Sequence, residues 1–311
     1  MLMISYYFKP AHNKELQVLD EYKAGAWVSV EHPTRVEIAQ LTEQFQLNAG
    51  NMKDALDKDE MPRLDSDNGY NYIYTGYVFS TEEQEATTLP ILFVVGQDLF
   101  MTVAFKDMPH LDEFLQGNVA FATTKPTELF LLALEQIVSQ YDEFINKISK
   151  HIQRIRSQLR SHSVAREDFV DFVVIEDDLN ELLSVLKPLS AMLRRLSLGH
   201  YIDMQKADKE FIEDLLLNSE QSIESCTSNI KTIGNIREAY STISSNELNR
   251  TMKILTIATV LIALPNVFFG MFGMNLRLPF ADHPDGYYIV IGVTLLVMLV
   301  TVWFAKLKKI F

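Results

Sequence analysis

The stretch Asn249–Asn275 reads NRTMKILTIATVLIALPNVFFGMFGMN. From Ile254 to Phe272 it holds 19 residues without a formal charge. At about 1.5 Å per residue, a helix of that length nearly matches the roughly 30 Å hydrocarbon core of a bilayer. It is not evenly apolar. Thr256, Thr259, Ala263, Asn266, Gly270 and Gly273 recur at alternating spacings of three and four, which puts them on one helical face. An unpaired amide in hydrocarbon is costly, so Asn266 excludes a helix that faces lipid all round. Small and hydroxyl residues serve close helix packing as readily as pore lining. Asn266, and the Gly273-Met274-Asn275 that ends the apolar run, tip the reading towards a pore.

A second span follows, Tyr287–Ala305, YYIVIGVTLLVMLVTVWFA. It is more uniformly apolar and has aromatics near both ends, as a lipid-facing helix does. Arg250 and Lys253 precede the first span, and Lys306, Lys308 and Lys309 follow the second. By the positive-inside rule both ends lie in the cytoplasm. The twelve residues 275–286, with Pro279, Pro284 and Gly286, then form a short outer loop.

The rest of the chain is acidic. Net charge is −13 over 311 residues, which excludes a basic nucleic-acid surface and favours attraction of cations. The lone Cys226 rules out an intrachain disulfide and a cysteine-rich metal site, and reads as a plain buried thiol. The opening residues have no basic n-region, so the soluble part is expected on the cytoplasmic side. No HExxH, P-loop, GxSxG or dinucleotide fingerprint points to an enzyme.

Residues 1–125 read as a cytoplasmic α/β domain. Strands are expected at Met1–Phe8, Ala26–Val30, Tyr70–Ser80, Leu89–Val95 and Leu99–Phe105, with Glu82–Thr88 as a connecting turn. Thr34 and Glu37 form a capping box for a helix Thr34–Phe45. The carboxylate-rich Lys53–Asp67 reads as a solvated loop, some of whose acids could hold a hard cation. Residues 126–203 read as a helical hairpin. Its inward positions are Leu129, Leu132, Ile137, Tyr141, Phe144, Ile148, Ile152 and Ile155, then Phe169, Phe172, Ile175, Leu179, Leu182 and Leu186. The turn is placed at Ser161-His162-Ser163, and Pro188 is expected to kink the second helix. Glu135, Asp142, Glu143, Glu176, Asp177, Asp178 and Glu181 read as a solvated face. A stalk helix, 204–253, continues into the first span, 254–273. Together they would run on the order of 100 Å. The outer loop 274–286, second span 287–305 and basic tail 306–311 complete an α+β membrane protein.

Phe272-Gly273-Met274-Asn275 at the end of the first of two terminal spans, approached by Asn249-Arg250-Thr251-Met252-Lys253-Ile254-Leu255-Thr256, resembles the CorA family of divalent-cation channels and transporters. Trp27-Val28-Ser29-Val30 with Pro33, and Met61-Pro62-Arg63-Leu64-Asp65, are similar to further marks of that family. The resemblance implies a homo-oligomeric funnel of five subunits in the plasma membrane that carries Mg²⁺, or Co²⁺ and Ni²⁺. It implies a selectivity filter at Gly273, Met274 and Asn275, a pore lined from Asn249 through Thr256, Thr259, Ala263, Asn266 and Gly270, and an apolar gate at Met252 and Leu255. It also implies a regulatory Mg²⁺ between Asp54 of one subunit and Asp214 of the next. Asp282 and Asp285 would concentrate cations at the outer mouth, opposed by Arg277. The expected partners are the bilayer, divalent cations and further copies of the chain, with no nucleic acid and no organic cofactor. Two alternatives stay open: a zinc transporter of the same superfamily, proton-coupled or not, and a non-conducting membrane-anchored sensor or scaffold.

Overall fold

The computed structural model describes residues 4–11, 15–80, 86–106, 108, 112–116, 119–160, 167–198, 201–202, 204–274 and 284–307. The chain divides into two units, Met1–Gly234 and Asn235–Phe311.

Among the described residues of the first unit, seven strands form one sheet: β1 (Ile4–Phe8), β2 (Gln17–Leu19), β3 (Trp27–Glu31), β4 (Arg63–Asp67), β5 (Tyr70–Ser80), β6 (Ala86–Val95) and β7 (Phe100–Ala104). Their order is β2-β1-β3-β7-β6-β5-β4. All neighbours are antiparallel except β3 and β7, which run parallel with Val28 opposite Met101. Strand alternation sorts the aromatic and β-branched residues between two faces. Val28, Tyr72, Tyr74, Leu92, Val94, Met101 and Val103 bury one face against Ile38 and Leu41 of α1 (Arg35–Gln44), Met52 of α2 (Ala49–Asp54), and the C-caps of these helices, Phe45 and Ala55. On the other face Trp27, Phe93 and Phe100 pack with Phe130, and the Trp27 indole N–H donates to Thr102 Oγ1 at 3.0 Å.

The capping box at Thr34 and Glu37 forms as the sequence predicts. The Lys53–Asp67 region is a loop only over residues 55–62. It contains the end of α2 and all of β4, whose polar residues pair with Tyr70–Tyr74. Strand β6 begins at Ala86, inside the segment Glu82–Thr88 expected as a turn, and residues 81–85 lie outside those described. Strand β2 and the one-turn helix α3 (Asp112–Leu115) carry too little apolar pattern to be read from sequence.

The hairpin helices are α4 (Pro126–Arg160) and α5 (Glu167–Ser197), and α5 runs unbroken through Pro188. The turn predicted at 161–163 lies outside the described residues. Phe172, Ile175, Leu179, Leu182 and Leu186 are buried as expected; the side chain of Phe169 is not among those described. On α4 Leu129, Ile137, Tyr141, Ile148, Ile152 and Ile155 are buried as expected, whereas Leu132 and Phe144 are half-buried beside the buried Leu131 and Ile145. Several hairpin acids are structural rather than solvated. Thr88 donates to Glu181 Oε1 through its N–H at 3.2 Å and its hydroxyl at 2.6 Å, which ties α5 to β6. Ser222 donates to Asp142, and Asp178 is buried. Among the described residues no strand pairs with β5 beyond Tyr74 on the β4 side. There Gln140 of α4 acts in a strand's place, donating to the Val78 carbonyl at 2.6 Å and accepting from its N–H at 3.2 Å. Gly76 of β5 admits the hairpin: a Cβ there would sit 2.7 Å from Val185 Cγ1 and 3.2 Å from the Tyr141 hydroxyl.

Helix α6 spans Lys206–Phe272, 67 residues, and α7 spans Gly286–Leu307. Both contain segments long and apolar enough to cross a membrane. In α6 no residue of that segment is buried, and in α7 only 11 % are.

Candidate ion pathway and regulatory acids

Within the second unit each apolar helix has one shielded strip. On α6 it comprises Ile257, Leu261, Leu264, Pro265 and Phe268; on α7 it comprises Ile291, Thr294, Val297, Met298, Thr301 and Ala305. Both have the spacing of one helical face. The predicted pore residues all lie off the α6 strip. Asn249, Met252, Leu255, Thr256, Thr259, Ala263, Asn266, Gly270, Gly273 and Met274 are exposed in the single chain. Exposure of a polar, small face on a membrane-crossing helix leaves it to water or to another copy of the chain.

The threonines on that face are already oriented. Thr256 Oγ1 donates to the Met252 carbonyl and Thr259 Oγ1 to the Leu255 carbonyl, each at 2.8 Å. A hydroxyl has one proton and two lone pairs. With the proton turned back into the helix, each threonine offers only acceptors outward. This feature is invisible in the bare spacing of the motif.

At the motif itself α6 closes with Gly273 N–H to the Phe269 carbonyl at 3.0 Å and Met274 N–H to the Met271 carbonyl at 3.2 Å. Gly273 is not in a left-handed conformation. Its lack of a side chain serves space instead: a Cβ would lie 3.3 Å from the Phe269 oxygen. Asn275 and Asp282 lie outside the described residues. Asp285 is exposed at the start of α7, where its carbonyl accepts from Ile289 N–H.

Two acids of the first unit, Asp54 and Glu60, close on one cation, Arg63, a role that sequence reading missed. Arg63 Nη2 lies 2.7 Å from Asp54 Oδ2, and its Nε lies 2.7 Å from Glu60 Oε1. The guanidinium covers the Tyr74 ring at 4.2 Å. Tyr74 donates its hydroxyl to the Asn51 carbonyl, and burial pushes its ionisation well above the ordinary phenol value. Asn51 donates to Asp65 at 3.0 Å and Asn48 to Asp67 at 2.8 Å. The Asn51 amide and the Ser66 N–H hold the Asp65 carboxyl below its ordinary value. Thus α2 and β4 are bound by polar contacts where the sequence shows only charge.

Asp54 and Asp214 differ in surroundings. Asp54 gives Oδ2 to Arg63 yet keeps 48 % of its side chain exposed, so it can still accept from a hydrated cation. Asp214 is exposed on α6. Among the described residues no three His, Cys, Asp or Glu of one chain converge as a metal site. A site using these two acids therefore needs a donor beyond them, from water or from another chain. Cys226 is buried and its thiol is pushed up to about 12 by desolvation, with the charge of Asp142 adding. It is no ligand.

The family described as CorA-like Mg²⁺ transporter protein matches residues 22–309. The chain belongs to that family. CorA-family proteins are membrane transporters of divalent cations rather than enzymes, in agreement with two helices able to cross a bilayer. A cobalt/magnesium transport protein CorA from Methanocaldococcus jannaschii is 22% identical over 289 residues, covering 89% of this chain and 88% of that protein. The putative metal ion transporter YfjQ of Bacillus subtilis is 25% identical over 287 residues, covering 90% and 88%. The complete structure of the CorA magnesium transporter from M. jannaschii aligns with a TM-score of 0.85 at 19% identity, covering 98% of each chain. The α/β sheet domain, long helix and paired C-terminal helices are thus the CorA fold.

Proposed function

We propose that this CorA-family protein conducts hydrated Mg²⁺, with Co²⁺ and Ni²⁺ as related cargo, through a pore made by a ring of five copies. Two helices per chain cannot enclose a water-filled path, so the pore requires copies of α6 side by side with their polar faces inward. The observation that carries this reading is the acceptor-only presentation of Thr256 and Thr259 on the exposed face of α6. Mg²⁺ gives up its waters reluctantly. Those waters turn their hydrogens outward, and a conduit for the hydrated ion must offer oxygen acceptors. Threonine hydroxyls bonded back to the helix do so, and Asn266 adds an amide oxygen.

In this mechanism Gly273, Met274 and Asn275 of each copy form the outer selectivity ring. The amide oxygens of Asn275 hold the ion through its waters. Asp282 and Asp285 raise the local cation concentration. At the other end Met252 and Leu255 make an apolar constriction that closes by excluding water, with Asn249 beyond it. Both termini lie in the cytoplasm, and the basic tail meets anionic headgroups. Cytoplasmic Mg²⁺ bridges Asp54 of one copy and Asp214 of the next and favours the closed ring. Its loss lets the acids repel and opens the gate. Zinc prefers nitrogen and sulfur ligands, and the α6 face offers neither histidine nor cysteine.

The test is Mg²⁺ uptake into liposomes holding the purified protein, driven by an inside-negative potential and read with an enclosed dye. Uptake by wild type that collapses in Asn275→Ala is expected. Equal uptake by both would remove the filter from this site, and no uptake by folded, oligomeric wild type would sink the pore.

A further inference from the structure

We propose that Arg63 is a tethered counter-cation that sets the Mg²⁺ concentration at which the Asp54 site fills. This rests on the reading of Asp54 as a ligand of the regulatory ion. Arg63 reaches Asp54 Oδ2 and Glu60 Oε1, each at 2.7 Å, and its Nη1 lies 3.4 Å from Asn51 Oδ1. Tyr74 lies beneath the guanidinium plane, and Tyr74 is itself pinned by its hydroxyl to the Asn51 carbonyl. Held on these sides, the cation stays in place when a metal ion approaches the exposed part of Asp54.

The charges make the consequence directional. Asp54, Glu60 and Arg63 sum to one net negative charge. Without Arg63 the sum is two, and without the Glu60 charge it is zero. Glu60 is the more enclosed acid, 16 % exposed against 48 % for Asp54, so it is spent on Arg63 while Asp54 faces outward. One unit of charge acting on a divalent ion about 6 Å away in a water-like medium changes affinity roughly tenfold. Arg63 therefore keeps the site from saturating at low Mg²⁺, and Glu60 keeps Arg63 from silencing it. Lys53, next to Asp54, is exposed, and it adds a screened positive charge common to every variant below.

The experiment is calorimetric titration of the purified full-length protein in detergent with MgCl₂. The step lost in Asp54→Asn defines the site. Arg63→Gln is expected to move that step to about tenfold lower Mg²⁺ and Glu60→Gln to about tenfold higher, while Arg63→Lys, which keeps the charge, stays within about twofold of wild type. A purely structural role for these contacts would make Arg63→Gln and Glu60→Gln shift the same way, and that result overturns the proposal. If Arg63→Gln does not fold, an unmoved step in Glu60→Gln overturns it equally. If Asp54→Asn leaves the titration unchanged, the regulatory reading itself has failed. If Asp54→Asn removes the step but the two charge variants do not diverge, only the role of Arg63 is lost.

Discussion

Gly76→Ala probes the seat of the helical hairpin on the sheet. The new methyl would lie 2.7 Å from Val185 Cγ1, 3.3 Å from its Cγ2 and 3.2 Å from the Tyr141 hydroxyl. Carbon pairs settle at about 3.5–4.0 Å, so Val185 must retreat by about 1 Å in a close-packed region. Overpacking of this kind costs about 1–3 kcal/mol, and relief of glycine's backbone entropy in a strand returns about 0.5–1 kcal/mol. The net is a loss of up to about 2.5 kcal/mol, centred on about 1 kcal/mol. For a unit of this size each kcal/mol lowers Tm by about 2–4 °C. Val185→Ala alone removes a buried side chain and should cost about 1.5–3 kcal/mol. The double variant lets the new methyl occupy the vacated space. It should be more stable than the sum of the single effects by about 1–3 kcal/mol, within the range measured for touching residues. The assay is thermal unfolding of the full-length protein in detergent, read by fluorescence of buried Trp27 in a Trp303→Phe background. Additivity within about 0.5 kcal/mol, or a Gly76→Ala that raises Tm, would refute the packing argument.

Two further outcomes follow from the first unit. Cys226 is fully buried with its thiol pushed up to about 12, so at pH 8 on the order of one thiol in 10⁴ is ionised; a maleimide should leave the native protein unlabelled and react once it is denatured, and labelling at the rate of a free cysteine would contradict the burial. Asp65 is held below its ordinary value of 3.8 by the Asn51 amide and the Ser66 N–H. A depressed carboxyl stabilises the fold above its unfolded value and loses that contribution as pH falls through the folded one. The stability gap between wild type and Asp65→Asn should therefore be largest near neutrality and shrink below about pH 4, whereas a gap independent of pH would show that Asp65 contributes nothing through its charge.

The two apolar helices and most of the sheet were legible in the sequence because they rest on periodicity. A helix in lipid must put Asn266 on a face that avoids lipid, and a strand such as Tyr70–Ser80 must alternate. What escaped rests on single side-chain contacts that no periodicity encodes. Arg63 reads as one more charge in an acidic run until Asp54, Glu60 and Tyr74 are seen around it. Glu181 and Asp142 read as solvated acids until Thr88 and Ser222 are found beside them. The stripe on α4 was misjudged only at Leu132 and Phe144, which are half-buried, because a helix of 3.6 residues per turn drifts against any integer spacing. The orientation of the Thr256 and Thr259 hydroxyls could not be read at all, since spacing places a side chain on a face without saying where its proton goes.

The Gln140 side chain that completes the edge of β5 also fixes an order of events during synthesis. Val78 leaves the ribosome 62 residues before the amide that will cover its N–H and carbonyl. At about 5–20 residues per second that is an interval of roughly 3–12 s. For that time a long aromatic strand presents an unpaired edge, the kind of template that recruits a second strand from another chain. A nascent chain stalled before α4 is therefore the aggregation-prone species, and the first half of α4 acts as an internal chaperone for the sheet made before it.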